Sequence, residues 1–151
     1  MKKLAILAAG AVALPATAHA ASSSSSDAAR AVETASRGVN AKPYDLDRER
    51  NRWEVQFADG TERHVSLDGR RVLRTRRDDD RSSRVSQAKI GLADAIRRAA
   101  RRASGTVTEA DLDRERGKLV WSVTFERGDR ETEVDVDIRS GRVLRVTHDD
   151  D

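Results

Sequence analysis

The amino-acid sequence contains one passage that occurs twice, and this repeat limits the folds open to the chain. The hexapeptide Asp-Leu-Asp-Arg-Glu-Arg occupies residues 45–50 and again residues 111–116. A Trp-x-Val-x-Phe pattern follows each copy, at residues 53–57 and 121–125. The later matches in the two copies are Gly60 and Gly128, Val65 and Val134, Asp68 and Asp137, Gly69 and Gly141, and Val72-Leu73-Arg74 and Val143-Leu144-Arg145. The offset grows along the repeat, which indicates small insertions at turns, so the sequence predicts two homologous units.

Length and composition limit the size of the core. The chain has 151 residues, of which 36% are charged and only 3% aromatic. A single unit of about 60 residues buries a modest part of its surface and is marginally stable alone, so we expect the two units to pack together. The sequence has no cysteine, which excludes disulfides, thiolate metal sites, a cysteine nucleophile and a lipid-modified cysteine anchor.

The first 20 residues have the pattern of a secretory signal peptide. Lys2 and Lys3 precede an apolar run over residues 4–14, and Ala18-His19-Ala20 fits a cleavage site after Ala20. The run is much shorter than the ~20 residues that a spanning helix needs. Residues 21–26 then form a serine-rich spacer. The pattern predicts a periplasmic or secreted protein without an integral membrane segment after signal removal.

The charge balance argues against a nucleic-acid partner. The full chain carries 29 basic and 26 acidic side chains, a net charge of +3. Lys2 and Lys3 lie in the predicted leader, so 27 basic and 26 acidic side chains remain and the net charge falls to +1. A nucleic-acid-binding domain usually has a clear basic excess on one face. We therefore expect no nucleic acid among the partners.

The first unit is predicted at residues 27–76 as one helix followed by four strands. Ser26 or Asp27 can cap the helix through a side-chain oxygen, and Gly38 ends it. Ala28, Val32 and Ala35 share one helical face. The predicted strands cover residues 39–47, 53–57, 61–67 and 72–76. Pro43 in the first of them indicates a sheet edge or a bend.

A charged linker at residues 77–84 leads to the second unit, at residues 85–147, and residues 148–151 form an acidic tail. Ser86 is the predicted cap of the second helix, with Val85 and Ile90 as a hydrophobic staple, and Gly105 ends it. The predicted strands cover residues 107–113, 118–126, 131–138 and 142–147. The fold class is thus α+β, with two tandem units that each pack one helix on a four-stranded antiparallel meander. A pseudo-symmetric pair is one arrangement open to these units.

The order of these features resembles the PepSY domain, in two tandem copies behind a signal peptide. The similarity rests on an alanine-rich helix that ends in glycine, then W-x-V-x-F, a turn glycine, V-x-x-D and G-x-V-L. The family takes its name from the propeptides of secreted metallopeptidases. The resemblance implies an extracytoplasmic, non-enzymatic module that binds and restrains peptidases. The copies differ where Gly69 directly follows Asp68, because residues 138–140 separate Asp137 from Gly141. This difference predicts a tighter last turn in the first copy.

The sequence offers no catalytic constellation, and we predict neither an enzyme nor a cofactor. Ser66 lies two residues from His64 on one strand face, a spacing that provides neither an oriented base nor an oxyanion site. Large apolar side chains of the two repeats are expected to fill the space between helix and sheet. These core residues are Trp53, Val55, Phe57, Trp121, Val123 and Phe125.

Two charged sets are candidate partner-binding sites in the second unit. The row Glu131, Glu133, Asp135 and Asp137 has period two, so its carboxylates emerge on one strand face. The row can dock a basic partner or bind Ca²⁺ weakly. It can also be a solvated face relieved by Arg145. A straight strand spreads carboxylates apart, whereas Ca²⁺ needs converging oxygens, so no metal site is predicted.

The second set is the basic side of the second helix, formed by Arg97, Arg98, Arg101 and Arg102. It can dock an acidic protein or anionic lipid headgroups, or it can be the polar half of an amphipathic helix, with Asp94 pairing with Arg98.

The sequence supports three hypotheses of function. The leading hypothesis is a secreted or periplasmic protein-binding module that inhibits or regulates a peptidase. The alternative is an envelope protein that binds or senses a cation through the acidic row. A structural envelope protein is the third. The sequence does not indicate the oligomeric state.

Overall fold

The structure is a computed structural model that describes residues 24–150. The predicted signal peptide, residues 21–23 of the spacer and the last residue of the tail lie outside the described residues. The elements are α1 (Ser25–Ser36), β1 (Pro43–Arg48), β2 (Arg52–Phe57), β3 (Thr61–Ser66), β4 (Val72–Arg77), a 3₁₀ turn (Arg84–Gln87), α2 (Leu92–Ala99), β5 (Thr106–Glu115), β6 (Lys118–Arg127), β7 (Arg130–Asp137) and β8 (Val143–Asp150).

All eight strands belong to one antiparallel sheet with the order β4-β3-β2-β1-β5-β6-β7-β8. The α+β class is confirmed, but the two separate four-stranded sheets are not, because β1 and β5 join the halves. Asp45 lies opposite Asp111, Leu46 opposite Ala110 and Asp47 opposite Glu109. The joint removes two exposed sheet edges and lets two thin cores merge.

Pro43 indicated either a sheet edge or a bend in the strand, and the structure shows an irregular strand start rather than an edge. Its strand is not an edge, because β1 pairs with β2 on one side and β5 on the other. The ladder to β5 begins only at Asp45, and the register to β2 shifts between Pro43 and Asp45. A proline has no N–H for a ladder, and it lies here at the strand start beside a bulge.

The first helix begins earlier than predicted. Ser24, rather than Ser26 or Asp27, is the N-cap, and Asp27 completes a capping box as its reciprocal partner. Ser25 and Ser26 therefore belong to α1. The predicted end is confirmed, since the C-cap residue Arg37 is followed by Gly38 at φ +70°, a conformation that glycine adopts without strain.

The second helix begins later and ends earlier than predicted. Ser86 lies in the 3₁₀ turn, and Gly91 is the N-cap of α2. Tertiary hydrogen bonds explain the late start: the Trp121 indole N–H donates to the carbonyl oxygen of Ile90 at 2.8 Å, and the Ile90 N–H donates to that of Ile138 at 2.9 Å. Gly105, with φ +132°, leads into β5 instead of ending the helix.

Both helices pack on the same face of the sheet and against each other. The cross-strand register places the core side chains of the four central strands on this helix side. Both tryptophans are fully buried there. The predicted core residues Trp53, Val55, Phe57, Trp121, Val123 and Phe125 all lie in this layer and are at most 1% exposed. We call the opposite side of the sheet, which faces away from both helices, the open face.

The strand register shows where the copies differ in length. Trp53 lies opposite Val65, and Trp121 lies opposite Val136. Val136, not Val134, is therefore the counterpart of Val65, and the extra residues lie in the β6–β7 hairpin. Both last turns join strands through five residues, and the N–H groups of Ser66 and Asp137 donate to the carbonyl oxygens of Arg71 (2.9 Å) and Arg142 (2.8 Å). Inside the turn, the Gly69 N–H donates to the Ser66 carbonyl oxygen three residues back (2.8 Å), whereas the Gly141 N–H donates to that of Asp137 four residues back (2.9 Å). The last turn of the first copy is therefore tighter by one residue, as predicted, although the two connections have the same length.

Candidate functional site

The centre of the open face is built from the repeated hexapeptide. Side chains alternate across a strand, so the two leucines of the repeat point towards the helices and the aspartates lie on the open face. Asp45 of the first copy lies directly opposite Asp111 of the second. Asp47 lies opposite Glu109 on the next open-face position. The joint thus places four carboxyl groups from both halves side by side.

The electrostatics of this centre are unusual for a strand surface. Burial, and then the neighbouring carboxylates, raise the pKa of Asp45 and of Asp111 to about 7 from the ordinary 3.8. The pKa values of Asp47 and Glu109 are raised for the same two reasons. In addition, Oδ1 of Asp45 is buried without a hydrogen-bond partner. Because like charges repel, each ionised carboxyl group raises the pKa of its neighbours. We call these four residues the acidic centre.

The acidic row of the second half divides into separate environments. Arg145 donates through Nε to Oδ2 of Asp135 and through Nη2 to Oε1 of Glu133, both at 2.9 Å. It also lies 3.6 Å from Glu115. Asp135 is only 3% exposed, and burial raises its pKa despite the guanidinium that lowers it. Arg145 therefore fills the middle of the row.

The ends of the row behave differently. Glu131 is exposed in the β6–β7 hairpin. The Oδ1 atom of Asp137 accepts bonds from the backbone N–H groups of Ser140 (2.7 Å) and Arg139 (2.9 Å). These bonds, with the Ser140 hydroxyl, hold the pKa of Asp137 below its usual value. Asp137 thus caps a turn, and the four predicted carboxylates share a strand without converging on one point.

An open cleft of about 450 Å³ lies beside Arg145. Val120 and Leu144 supply its apolar wall, and Leu144 is 51% exposed. Arg116 and Lys118 line it together with Arg145. The cleft extends the open face with a mixed apolar and cationic surface next to the acidic centre.

The first half has a different cluster at the equivalent place. Nε2 of His64 lies 2.6 Å from Oε1 of Glu62 and 3.4 Å from Oε1 of Glu54. Glu62 is 5% and His64 is 6% exposed. Arg52 donates through Nε to Oε1 of Glu54 at 2.9 Å, and Arg76 approaches Glu62 at 3.6 Å. The cluster gathers one imidazole nitrogen and two carboxylate oxygens, a donor set that suits a divalent transition metal.

The predicted basic set lies on the other side of the molecule. Arg97 pairs with Glu33 of α1. Arg98 donates to Asp94 at 3.0 Å and to the carbonyl oxygen of Gly141 at 3.2 Å, so it ties α2 to the last turn. Arg101 and Arg102 are exposed just after α2. The sheet separates these arginines from the acidic row, so the two sets do not form one surface.

Sequence reasoning missed the acidic centre and the His64 cluster. From the sequence, the hexapeptide is used only as evidence of a repeat, although the identity of both copies is the signal that could have revealed a shared surface. His64 is considered there only together with Ser66 on the same strand, whereas its partner Glu54 lies on another strand. The Asp59-Gly60 turn fixes the register that brings Glu54 opposite His64, and that signal was available.

Over residues 24–150, fold and site together define a two-layer α+β structure in which both described helices lie on one face of the sheet. Residues 89–147 match the PepSY family, described as "Peptidase propeptide and YPEB domain". The match falls on the second copy of the repeat. Among residues 24–150, no helix is long and apolar enough to cross a membrane.

The chain is also similar to the crystal structure of a candidate lipoprotein from Clostridium difficile 630. The two share 21% sequence identity and superpose with a TM-score of 0.44, over 73% of this chain and 84% of that chain. Comparison with curated proteins finds no match.

Proposed function

We propose that the chain is a non-enzymatic periplasmic or secreted protein that binds a peptidase and regulates it through the acidic centre. The observation that carries this proposal is the pairing of Asp45 with Asp111 at the middle of the open face. The PepSY match over residues 89–147 supports a peptidase as the partner. The signal-peptide pattern of residues 1–20 supports export.

The chemistry of the acidic centre favours a basic partner surface. A lysine or arginine that approaches Asp45 and Asp111 stabilises their ionised forms and lowers the raised pKa values. Binding then releases protons, so affinity rises with pH through the range near 7 in which these groups titrate. Charge complementarity also accelerates association and makes it sensitive to salt. Glu131 and Glu133 extend the acidic surface on the side of the second half.

Two side chains support a non-enzymatic role. The Ser66 hydroxyl donates to Oδ1 of Asp68 at 2.5 Å and accepts from the Arg71 N–H at 3.1 Å. It therefore stabilises the β3–β4 turn. The Nε2 atom of His64 is directed to Glu62 instead of to a serine hydroxyl.

The alternative function through the acidic row is less well supported. A cation at the row would compete with Arg145 for Asp135 and Glu133, which this guanidinium already binds. Partner binding by strand addition is a second mechanism, because β4 and β8 are the sheet edges. It does not involve the acidic centre, so variants of the centre distinguish the two mechanisms.

A capture experiment tests the proposal. The tagged mature chain is used to isolate partners from the periplasmic fraction or the culture fluid, and the peptide hydrolysis of a captured peptidase is measured with and without added chain. We expect the added chain to lower the rate. The double variant Asp45→Asn with Asp111→Asn should weaken the complex by more than about tenfold, since desolvated charge pairs at an interface contribute strongly.

Asp129→Asn is the matched control, because Asp129 lies exposed in the β6–β7 turn. Equal affinity of the double variant and the parent would exclude the acidic centre and favour strand addition. If no peptidase is captured, or if its rate does not respond to the chain, the regulatory function is wrong.

A further inference from the structure

The His64 cluster has features of a metal site that the acidic row lacks. Oε1 of Glu54, Oε1 of Glu62 and Nε2 of His64 all lie within 4.8 Å of one another. Two of the three side chains are more than nine-tenths buried. We propose that Glu54, Glu62 and His64 bind one divalent transition metal ion of the zinc type. This site is independent of the partner that the acidic centre binds.

The donor set fits zinc better than calcium. One imidazole nitrogen and two carboxylates are ordinary zinc ligands, and three protein ligands leave a fourth position for water or for a partner side chain. Calcium needs six or more oxygens, which this cluster does not gather. A nitrogen donor shifts the preference further towards transition metals.

The distances are close to those of a tetrahedral site. Metal–ligand bonds near 2.0–2.1 Å place two ligand atoms roughly 3.3 Å apart in a tetrahedron. The 3.4 Å between His64 and Glu54 already matches this separation. The 2.6 Å contact between His64 and Glu62 must lengthen by roughly 0.7 Å, which small side-chain rotations supply.

The charges at the site predict a competitor for the ion. The two glutamates offset the charge of a dication when the imidazole is neutral. Arg52 now binds Oε1 of Glu54, and Arg76 approaches Oε1 of Glu62. The side chains of Arg52 and Arg76 are 36% and 51% exposed, so both can turn towards solvent. Arg52 therefore competes with the ion, and its removal should strengthen binding.

The second half cannot form the same site. The register places Asp135 at the position of His64 and Ser122 at that of Glu54. Arg145 fills the space between Asp135 and Glu133. The inference is therefore one metal ion per chain, bound in the first half.

Calorimetric titration of the chain, purified without a histidine tag, with Zn²⁺ tests this site. We expect one saturable ion per chain, a more than tenfold loss of affinity in His64→Gln and a severalfold gain in Arg52→Gln. Glu62→Gln keeps the shape of the side chain and should also lose affinity. His148→Gln is the control, because His148 is exposed on β8.

Two measurements on the parent chain keep the test independent of variant folding. The visible spectrum of the Co²⁺ complex reports a tetrahedral site, and the imidazole NMR signals show which histidine responds to Zn²⁺. A response of His64 supports the proposal. Absence of saturable Zn²⁺ binding, a response of His148 alone, or unchanged affinity in folded His64→Gln would overturn it. A gain in Arg52→Gln distinguishes a metal site from a purely structural network.

Discussion

The two halves place different chemistry at one position of the open face. His64 and Asp135 occupy equivalent strand positions, and both are nearly inaccessible. His64 is balanced by two glutamates from β2 and β3, whereas Asp135 is balanced by Arg145 from β8. A buried ionisable group needs a partner, and each half supplies it from a different strand. The backbone of the repeat is thus shared while its surface chemistry has diverged.

The largest effect should show that the halves are one folding unit despite this divergence. Trp53→Ala and Trp121→Ala each remove a fully buried indole, which costs about 3–5 kcal/mol through lost burial and the cavity left behind. Each change also removes a bond from an indole N–H, to Leu67 or to Ile90. Because β1 pairs with β5, we expect each variant to melt in a single transition at a lower temperature.

Calorimetry and fluorescence of the two variants check this expectation. Leu73→Ala is the control, because Leu73 is 52% exposed and its loss should change stability little. Two separate transitions, with one unshifted from the parent, would show that the joint between the halves is too weak to couple them.

A smaller effect distinguishes the halves. Arg145→Ala leaves the buried Asp135 without its guanidinium, and we expect a loss of stability clearly larger than that of an ordinary surface substitution. Arg74 is the equivalent residue of the first half. It lies opposite His64 instead of an acid, and Arg74→Ala should cost less than about 0.5 kcal/mol.

Urea unfolding of both variants measures the difference. A loss at Arg74 as large as that at Arg145 would mean that the arginines contribute through packing of their stems and not through the charge they neutralise. Reversal of the Arg145 loss by the second substitution Asp135→Asn would identify the charge as the cause.

Local patterns in the sequence predict the elements of this fold well. Period-two alternation in Trp53, Val55 and Phe57 predicts a strand with one buried face, and the structure has that strand. The start of α2 could not be predicted in the same way, because the backbone of Ile90 forms hydrogen bonds with Trp121 and Ile138. Such bonds depend on elements that are distant in sequence.

The pairing of β1 with β5 could not be predicted from the sequence, and the reason is electrostatic. Like charges placed directly opposite are unfavourable in a strand pair, so nothing in the sequence favours pairing Asp45 with Asp111. The burial of Leu46 and Ala110 at the same joint offsets this repulsion. The acidic centre could not be predicted for the same reason, since it exists only when β1 and β5 pair.

The smallest expected effect is the pH dependence of stability that arises because Asp45 and Asp111 lie opposite each other. A carboxyl group whose pKa rises on folding binds more protons in the folded chain than in the unfolded chain between the two pKa values. For Asp45 and Asp111 this window runs from 3.8 to about 7, so stability falls as the pH rises through it. The groups with lowered pKa values, such as Asp68 and Asp137, lose their stabilising effect only as the pH falls through the acid range below it.

Asp45→Asn removes one of the two opposed charges without changing the shape of the side chain. We expect the variant to gain about 1 kcal/mol at about pH 8, a figure lowered for solvent screening, and to gain little at about pH 4. Its melting temperature should vary less with pH than that of the parent. Asp129→Asn is the control, because Asp129 lies exposed in the β6–β7 turn. A parent chain whose stability rises between about pH 5 and pH 8 would contradict the raised pKa values and with them the strained acidic centre.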